Sequence, residues 1–315
     1  GDSGLGKSRL LREFKAWMSE VGSWQMADGQ VGQVLWLDGQ ALSFSEQTSY
    51  WLVVQVLQAM LGLPAGAGSD DLLFALWEMC EDLMGKETAR EAVPFLAHLL
   101  DLPLKDEWAR LVQELDPKVR QKQIFWAARE FFTQAARRRP IVVALDDLHW
   151  ADEASLALVE DLLATTDHAP LMFCLVLRPR RDKGCWRLRD RAAGAYPPRY
   201  TEIELQPPDE AQSRQLLSGL LPGAEFAAAT QRDVLDKAAG NPFYIEEVVR
   251  SLRDSGAVVP DPAQPGRWQV TDKAAQIAVP DTLHAAIVAR IDRLTEDARQ
   301  ALQIAAEIGR RFELD

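Results

Sequence analysis

The sequence predicts an α/β protein built on a parallel β-sheet, and three stretches carry that prediction. Residues Gly1–Ser8 fit the phosphate-binding pattern G-x-x-x-x-G-K-[ST] and precede a helical pattern. Residues Ile141–Leu145 and Leu171–Leu177 are continuous apolar runs, which indicate strands buried on both faces of a sheet. Asp146 and Asp147 follow the first run, at the strand end where such sheets hold their ligands.

The opening loop has the residue types that a polyphosphate site needs. Glycines allow a concave turn with inward-pointing N–H groups, and the following helix adds its positive N-terminal end. Lys7 can reach the β- and γ-phosphates, and the Ser8 hydroxyl can ligate the Mg²⁺ that accompanies ATP. A glycine-rich turn that only precedes a helix is the alternative. Because a phosphate loop normally leaves the end of a strand, we expect the first strand of the sheet to be missing ahead of Gly1.

Composition limits the classes of function. A chain of 315 residues with 47% hydrophobic composition can bury a large core in two or three domains. The net charge of −12 disfavours nucleic-acid binding, which needs a basic surface. The three cysteines and four histidines show no metal-ligand spacing, and they fit a reducing cytoplasm. The uncharged stretch Gln47–Ser69 has its apolar residues on one face, which predicts a buried helix and no membrane span.

Between the loop and the first apolar run, the sequence predicts one helix, a short strand and then a long helical region. The helix after the loop has an apolar stripe made of Leu10, Leu11, Phe14, Trp17 and Met18. Val34–Leu37 predicts a short strand, and Asp38-Gly39 is expected to end it. Asp116 is the expected N-cap of a long helix that has Pro117 at its first position. Turn signals interrupt the helical pattern of residues 46–139 at 64–68, 85, 102–103 and 116–117.

The aspartate pair has a physical use beside a phosphate loop. Asp146 would hold Mg²⁺ through water, and Asp147 would orient or deprotonate the attacking water. Helix capping is the alternative for such residues, and Asp152 is the predicted cap of a helix through 153–163. For His149 we leave nucleotide sensing and packing open. Arg178 follows the second apolar run and could face the γ-phosphate, whereas the rest of the basic stretch 178–199 is expected to be a solvated connection.

The remaining third of the chain is predicted to be mainly helical. Thr201–Leu205 alternates and predicts the last strand of the sheet, and two prolines then mark a boundary. Gly240-Asn241-Pro242 predicts a corner at which one helix ends and the next begins. Further expected elements are helices at 210–221, 227–239, 282–294 (capped by Asp281) and 296–308 (capped by Thr295), and a hairpin of 257–259 with 267–270.

Taken together, these stretches resemble the signalling P-loop ATPases called STAND, within the AAA+ class, and especially the Orc1-like AAA ATPase modules of bacteria. The likeness rests on GDSGLGKSRLLREF, VVALDDLHWADEASL, CLVLRP, GNPFYIEEVVRSL and VPDTLHAAIVARIDRL, which occur in family order over nearly the whole chain. Such modules occur in LuxR-type transcription regulators and beside class III adenylate/guanylate cyclase domains with tetratricopeptide repeats. The stretch DGQALSFSEQTSYW is similar to the one that these modules carry after their second strand. This similarity favours the cyclase-associated architecture with repeats.

The resemblance implies a P-loop NTPase parallel sheet of order 5-1-4-3-2 with its first strand missing, a helical lid and a partial winged-helix domain. The corresponding domains are an ATPase core at 1–205 with a helical insertion at about 46–139, a lid at 206–256, and a truncated winged helix at 257–315. Asp147, Lys7 and Arg178 would be catalytic, Ser8 and Asp146 would bind the metal, and Pro242 would lie against the adenine. The implied nucleotide-binding loop consists of Gly1, Asp2, Ser3, Gly4, Leu5, Gly6, Lys7, Ser8 and Arg9.

The expected function is that of a cytoplasmic, ATP-driven switch. Mg²⁺-ATP binding would favour one arrangement of the domains, and slow hydrolysis to ADP would release it. The partners would be ATP, effector domains of the full-length chain (a cyclase, tetratricopeptide repeats or a DNA-binding domain) and copies in a nucleotide-dependent oligomer, with no membrane and no direct nucleic acid. A non-hydrolysing nucleotide-binding scaffold for protein interaction or oligomerisation is the alternative.

Overall fold

The computed structural model describes residues 2, 4–25, 31–43, 45–64, 66–179, 181–273, 282–292 and 294–308. These residues form two compact units. The first unit is Lys7–Ile203, and the second consists of the described residues of Glu204–Asp315 together with Asp2–Gly6. In chain order the first unit contains α1 (Lys7–Val21), β1 (Ser23–Gln25), β2 (Val31–Gln33), β3 (Leu35–Gln40), α2 (Trp51–Leu61), α3 (Ser69–Met84), α4 (Lys86–Leu99), α5 (Asp106–Glu114), α6 (Pro117–Arg138), β4 (Ile141–Asp146), α7 (Glu153–Leu162), β5 (Leu171–Leu175) and α8 (Gly184–Ala195).

A three-stranded parallel sheet of order β3-β4-β5 lies at the centre of the first unit. Leu35 pairs with Ile141, and Ile141 pairs with Leu171 on its other side. The five apolar residues of β4 are all buried, as the continuous apolar run predicts. The α/β prediction is therefore confirmed, and this strand order agrees with the 4-3-2 part of the order that the resemblance implies.

Strand β3 is longer than the sequence suggests. Asp38 and Gly39 do not end it, because they pair with Ala144 and Leu145 of β4, and Gln40 pairs with Asp146. A glycine is needed at position 39 because the backbone there lies close to Leu145 and Leu52. A Cβ added to it would lie 2.9 Å from the Leu145 Cδ2 atom and 3.3 Å from the Leu52 carbonyl oxygen.

We expect the substitution Gly39→Ala to destabilise the protein by about 1 to 3 kcal/mol, since a methyl group forced into a packed core displaces its neighbours. Urea denaturation followed by circular dichroism measures the change in the free energy of unfolding. The matched control is Gly194→Ala in α8, where an added Cβ would have no atom within 4 Å. The control should be neutral or gain about 0.5 kcal/mol from the better helix propensity of alanine. Equal stability of both variants would contradict the tight contact at Gly39.

The expected strand at Thr201–Leu205 is wrong. These residues form neither helix nor strand, and Ile203 is 70% exposed. An alternating strand needs a neighbour that pairs with its N–H and C=O groups. In the described part of the chain β5 pairs with β4 alone. The other edge of β5 therefore has no strand that could lie between it and Thr201–Leu205 and pair with this segment.

The basic stretch after Arg178 is mainly a helix, which corrects the expected solvated connection. Helix α8 buries Cys185, Leu188 and Ala192 on one face, a helical spacing that the sequence contains. Its arginines stay at the surface, where they form ion pairs with acidic groups of the same unit. These pairs are Arg187–Glu153, Arg189–Glu202 and Arg191–Glu160.

The antiparallel pair of β1 and β2 was not predicted, although Asp28-Gly29 between these strands is a recognised hairpin signal in the sequence.

The apolar stripe of α1 is only partly buried. Leu10 and Trp17 are 45% and 55% exposed, while Phe14 packs edge-on against Trp36. The other members of the predicted stripe, Leu11 and Met18, are half-buried.

The predicted helices between residues 46 and 139 are confirmed as α2–α6, and each expected interruption falls between two of them. Asp116 caps α6, since its side chain accepts a hydrogen bond from the Lys118 N–H. Helix α2 buries Leu52, Val53 and Val56 together with Leu57 and Leu61. None of the helices in the described ranges is long and apolar enough to span a bilayer.

The second unit has its own apolar core, which includes Leu217, Ile245 and Val258. The predicted hairpin is confirmed as two antiparallel strands. Thr282 supplies a capping hydroxyl at the start of α12, and the predicted cap Asp281 lies outside the described residues. In chain order the elements are α9 (Glu210–Leu220), α10 (Ala228–Ala238), α11 (Pro242–Asp254), β6 (Val258–Pro260), β7 (Trp268–Val270), α12 (Leu283–Ile291) and α13 (Glu296–Ile308).

Candidate functional site

The start of α1 and the carboxyl end of β4 meet in the first unit. The Ser8 hydroxyl donates a hydrogen bond of 2.6 Å to Oδ2 of Asp146, across 138 positions of sequence. The other carboxylate oxygen of Asp146 accepts from the N–H of Asp147 at 2.8 Å. The structure therefore brings together the two residues that the sequence assigns to Mg²⁺, and Lys7 is the chain neighbour of one of them.

The loop ahead of α1 has the backbone of a tight turn. Gly4 and Gly6 have φ angles of 83° and 86°, in the left-handed region that favours glycine. Lys7, the first residue of α1, is half-buried, and Arg9 forms an ion pair with Glu13 one turn along the helix. Asp2 is exposed and Leu5 is half-buried. The predicted loop residues Gly1 and Ser3 lie outside the described residues.

Asp147 stands where β4 gives way to a short 3-10 turn, Leu148–Trp150. Its backbone is left-handed, with φ 57° and ψ 35°, which is uncommon for a residue other than glycine. The Asp147 side chain remains 22% exposed. The carboxylate is thus held at the end of the central strand while staying accessible from solvent, which its predicted action on water requires.

Two side chains lie next to the Asp147 carboxylate. Gln40 donates from Nε2 to Oδ2 at 3.4 Å, and Nδ1 of His149 lies 3.9 Å from Oδ1. His149 is only 2% exposed, and its ring packs 5.2 Å from that of Trp150. This burial favours packing over nucleotide sensing for His149.

Gln40 is the residue that the sequence analysis missed. Its backbone is held firmly, because its carbonyl accepts from Trp51 Nε1 at 3.1 Å and from Gln55 Nε2 at 3.0 Å. Its N–H in turn donates to Oε1 of Gln55 at 3.3 Å. The polar residue that follows Gly39 was the available signal, but finding it required β3 to extend three residues beyond Leu37 and to pair in register with Asp146.

Arg178 is tied to the same end of the sheet through the residues before it. The N–H of Val176 donates to the Leu145 carbonyl at 2.8 Å, and the Val176 carbonyl accepts from the N–H of Leu148 at 3.0 Å. Arg178 is half-buried, and its Nε has no hydrogen-bond partner among the described residues. A guanidinium group in this position has donor capacity left for an anion.

Asp152 is a structural residue, as the capping prediction states. Its Oδ1 accepts from the N–H of Ser155 at 2.7 Å and from the N–H of Tyr50 at 2.9 Å. The same carboxylate oxygen therefore caps α7 and fixes the start of α2. Asp152 is 5% exposed, which sets it apart from the solvent-accessible Asp147.

Within the second unit, Gly4 of the predicted phosphate loop lies close to the corner before α11. Asn241 caps this helix by accepting from the N–H of Phe243 at 3.1 Å, and Pro242 occupies the first helical position, as predicted. A Cβ added to Gly4 would lie 2.8 Å from Nδ2 of Asn241. Any side chain at Gly4 would thus collide with the capping residue. The contact of Pro242 with adenine stays a prediction.

The site suits a magnesium ion that is shared with a nucleotide. No cluster of three or more His, Cys, Asp and Glu side chains that could hold a metal ion is found within the described ranges. The converging Ser8 hydroxyl and Asp146 carboxylate nevertheless offer the oxygen donors that Mg²⁺ prefers, and phosphates and water commonly complete its octahedron. The donors present therefore fit Mg²⁺ in the company of ATP.

Thiol chemistry does not contribute to this site. Cys174 lies in β5, and burial raises its pKa to about 11; burial raises the pKa of Cys80 to about 12. Both thiols therefore stay protonated at neutral pH, and a protonated thiol is a poor nucleophile and metal ligand.

A comparison with known protein families identifies the family of this chain. A model described as the AAA ATPase domain matches residues 1–176, which is more than half of the chain. The chain belongs to the AAA ATPase domain family. Membership supports nucleotide binding and ATP hydrolysis in general, and the matched range contains the predicted phosphate loop, the three parallel strands and the aspartate pair.

A similar curated protein is an uncharacterized protein of Rhizobium meliloti (strain 1021). It is 24% identical over 252 residues, which cover 79% of this AAA ATPase chain and 22% of the relative. The chain thus spans about a fifth of the length of the relative that it matches.

Proposed function

We propose that this AAA ATPase domain binds Mg²⁺-ATP and hydrolyses it slowly, acting as a nucleotide-driven switch module in a larger bacterial signalling protein. The observation that carries the proposal is the 2.6 Å hydrogen bond between Ser8 and Asp146. Two oxygen donors that are far apart in sequence meet at the carboxyl end of a parallel sheet, and one of them lies at the start of the helix that follows a glycine-rich stretch of sequence. That is the arrangement that binds a metal–triphosphate pair.

The binding roles follow from the chemistry of each side chain. The N–H groups of the loop and the start of α1 face the phosphates, and Lys7 adds a positive charge near the β- and γ-phosphates. Ser8 and Asp146 hold Mg²⁺, which when bound neutralises charge on the phosphate oxygens. The Asp146 carboxylate is itself oriented by the N–H of Asp147, so the metal-binding and catalytic residues are linked.

Hydrolysis requires a group that directs water at the γ-phosphate. Asp147 orients this water and accepts its proton, because its carboxylate is accessible and stands at the end of β4. Gln40 donates to the same carboxylate and restrains its orientation. Arg178 places its guanidinium near the γ-phosphate, where it offsets the negative charge of the transition state.

The switch role rests on the resemblance and on the size of the relative. A chain that covers 22% of its relative is suited to act as one module among several. The bound nucleotide would select one arrangement of the ATPase core, lid and winged helix, and effector domains such as a cyclase, tetratricopeptide repeats or a DNA-binding domain would respond. A nucleotide-dependent oligomer and a cytoplasmic location, which the free cysteines fit, complete the proposal.

The test of metal-assisted binding is Ser8→Ala. We expect this variant to lose about 10-fold in ATP affinity when Mg²⁺ is present, since one ligand of the metal is removed. Affinity in EDTA should stay unchanged. Titration of a fluorescent ATP analogue at several Mg²⁺ concentrations measures both values.

The control for this variant is Ser19→Ala, which removes another hydroxyl of α1. Ser19 donates to the carbonyl of Ala16 within the same helix and lies away from its N-terminus. The control should bind Mg²⁺-ATP as the unmodified protein does. If Ser8→Ala showed the same dependence on Mg²⁺ as the control, the assignment of Ser8 and Asp146 to the metal would be wrong.

A further inference from the structure

An apolar and acidic surface lies on α3 and α5, on the helices between the loop and β4. Phe74 of α3 is 66% exposed and Leu111 of α5 is 42% exposed. Trp77, one turn after Phe74 on α3, and Trp108, one turn before Leu111 on α5, are half-buried. We call these four side chains the α3–α5 face. Exposed aromatic and aliphatic groups that adjoin one another commonly mark an interaction site.

The four side chains lie on neighbouring helices, because α3 and α5 are linked at two points. The rings of Trp77 and Trp108 stack with their centroids 5.9 Å apart. Lys105, the residue before α5, pairs with Asp70 at 3.8 Å. Phe74 lies between Asp70 and Trp77 on α3, at helical spacings of four and three. Leu111 lies three residues after Trp108, on the same side of α5.

Carboxylates flank both exposed apolar residues by one helical turn on each side. Asp71 and Glu78 flank Phe74, and Glu107 and Glu114 flank Leu111. All four are exposed, and the structure shows no ion pair for any of them within the described ranges. Helix α3 carries five carboxylates and no basic residue, and α5 carries three carboxylates and one arginine. The face is therefore apolar at its centre and negative at its rim.

The charge of this rim limits what can cover it. A second copy of the same face would bring the same carboxylates together, which repels. Nucleic acids and anionic membranes are negative as well. A positively charged helix with an apolar stripe satisfies both parts of the surface, because its stripe covers the aromatic groups while its lysines and arginines reach the carboxylates.

We propose that the α3–α5 face is a docking site for a basic amphipathic helix of a partner protein. The apolar stripe of that helix covers Phe74 and Leu111, and the flanking carboxylates select a positively charged partner and fix its position. This interaction is separate from nucleotide hydrolysis, since none of the residues proposed to act on ATP lies on α3 or α5. It gives the module a site for a regulatory or effector partner.

The test uses a labelled synthetic helical peptide of about 16 residues, long enough for about four turns. The peptide carries leucines at positions that form one stripe and lysines elsewhere, and fluorescence anisotropy measures its binding to the intact protein. A peptide of the same composition in scrambled order is the ligand control. We expect the amphipathic peptide to bind at least about 10-fold more tightly than the scrambled one, because only it presents a continuous stripe.

Two sets of variants separate the apolar and the charged contribution. The double variant Phe74→Ser, Leu111→Ser should weaken peptide binding by about 10-fold or more, as expected for central apolar contacts. Neutralising the four flanking carboxylates to Asn or Gln should remove most of the dependence of binding on salt. Ile203→Ser, which removes another strongly exposed apolar side chain outside α3 and α5, should bind as the unmodified protein does.

Several results would overturn the docking proposal. Equal binding of the two peptides would show that a continuous apolar stripe is not required. Unchanged binding to the double serine variant would show that the α3–α5 face is not the binding site. Sedimentation that shows a dimer lost in the double variant would identify a second copy as the occupant instead. Binding to anionic vesicles that depends on Phe74 and Leu111 would assign the face to a membrane. ATP turnover by the double variant should be unchanged, so the test is independent of the proposed ATPase activity.

Discussion

The variant Lys7→Ala is expected to lose about 100-fold in ATP affinity, because a lysine that contacts two phosphates contributes charge-assisted hydrogen bonds to both. Lys7 is the first residue of α1 and directly precedes Ser8, which bonds to Asp146. The backbone of Lys7 therefore lies next to the proposed metal site. The loss should appear with and without Mg²⁺, since the lysine acts on the phosphates and not on the metal. Isothermal titration calorimetry with ATP and ADP measures the effect.

The control for Lys7→Ala is Lys15→Ala, on the same helix. Lys15 forms an ion pair with Asp38 and lies over the ring of Trp36, two turns from the start of α1. Its loss removes the same charge from the chain but leaves the phosphate loop intact, so ATP affinity should be unchanged. Both variants should retain the circular dichroism spectrum of the parent protein. If the two variants bound ATP equally well, the assignment of Gly1–Ser8 as a phosphate loop would fail.

The variant Asp147→Asn is expected to retain ATP binding while turnover falls by about 100-fold or more, which is the usual contribution of a positioned general base. Asparagine can keep the hydrogen bond with Gln40 through its amide oxygen, but it cannot accept a proton from water at neutral pH. The metal-binding carboxylate of Asp146 remains in place. Phosphate release over long incubations, measured beside nucleotide affinity, separates the two steps.

Asp152→Asn is the matched control, five positions further along the chain. Asp152 caps α7 and holds the N–H of Tyr50, and asparagine is itself a good N-cap. This control should therefore hydrolyse ATP at the rate of the parent protein. Equal turnover in both variants would show that Asp147 does not act on water. A parent protein that binds ATP but never releases phosphate would instead favour the non-hydrolysing scaffold.

Much of the fold could be predicted because its signals are local. Asp116 followed by Pro117, and Asn241 followed by Pro242, predicted helix starts that the structure confirms, since a cap is made within one turn of the chain. The continuous apolar run of β4 predicted a strand buried on both faces for a similar reason, because burial on two faces leaves no polar position. The breaks between successive helices from α2 to α6 could be predicted because each of them contains glycine or proline or is followed directly by proline.

The predictions that were wrong or missing concern features that depend on residues far apart in the chain. Thr201–Leu205 alternates as a strand does, but a strand exists only where another strand receives its hydrogen bonds. Gln40 was missed because the Asp38-Gly39 pair resembles a turn, and only pairing with β4 keeps the chain extended through it. Helix α8 was obscured by its arginines, whose acidic partners come from α7 and from the segment after α8.

By itself, the amino-acid sequence determined which residues make up the candidate nucleotide site: the glycine loop, the lysine and serine after it, and the aspartate pair after an apolar strand. These are local patterns whose chemistry depends on neighbours in the chain. Only the tertiary structure decided that the Ser8 hydroxyl meets the Asp146 carboxylate and that Gln40 reaches Asp147. The physical reason is that such contacts join segments about 100 or more positions apart, and strand register and helix packing bring them together.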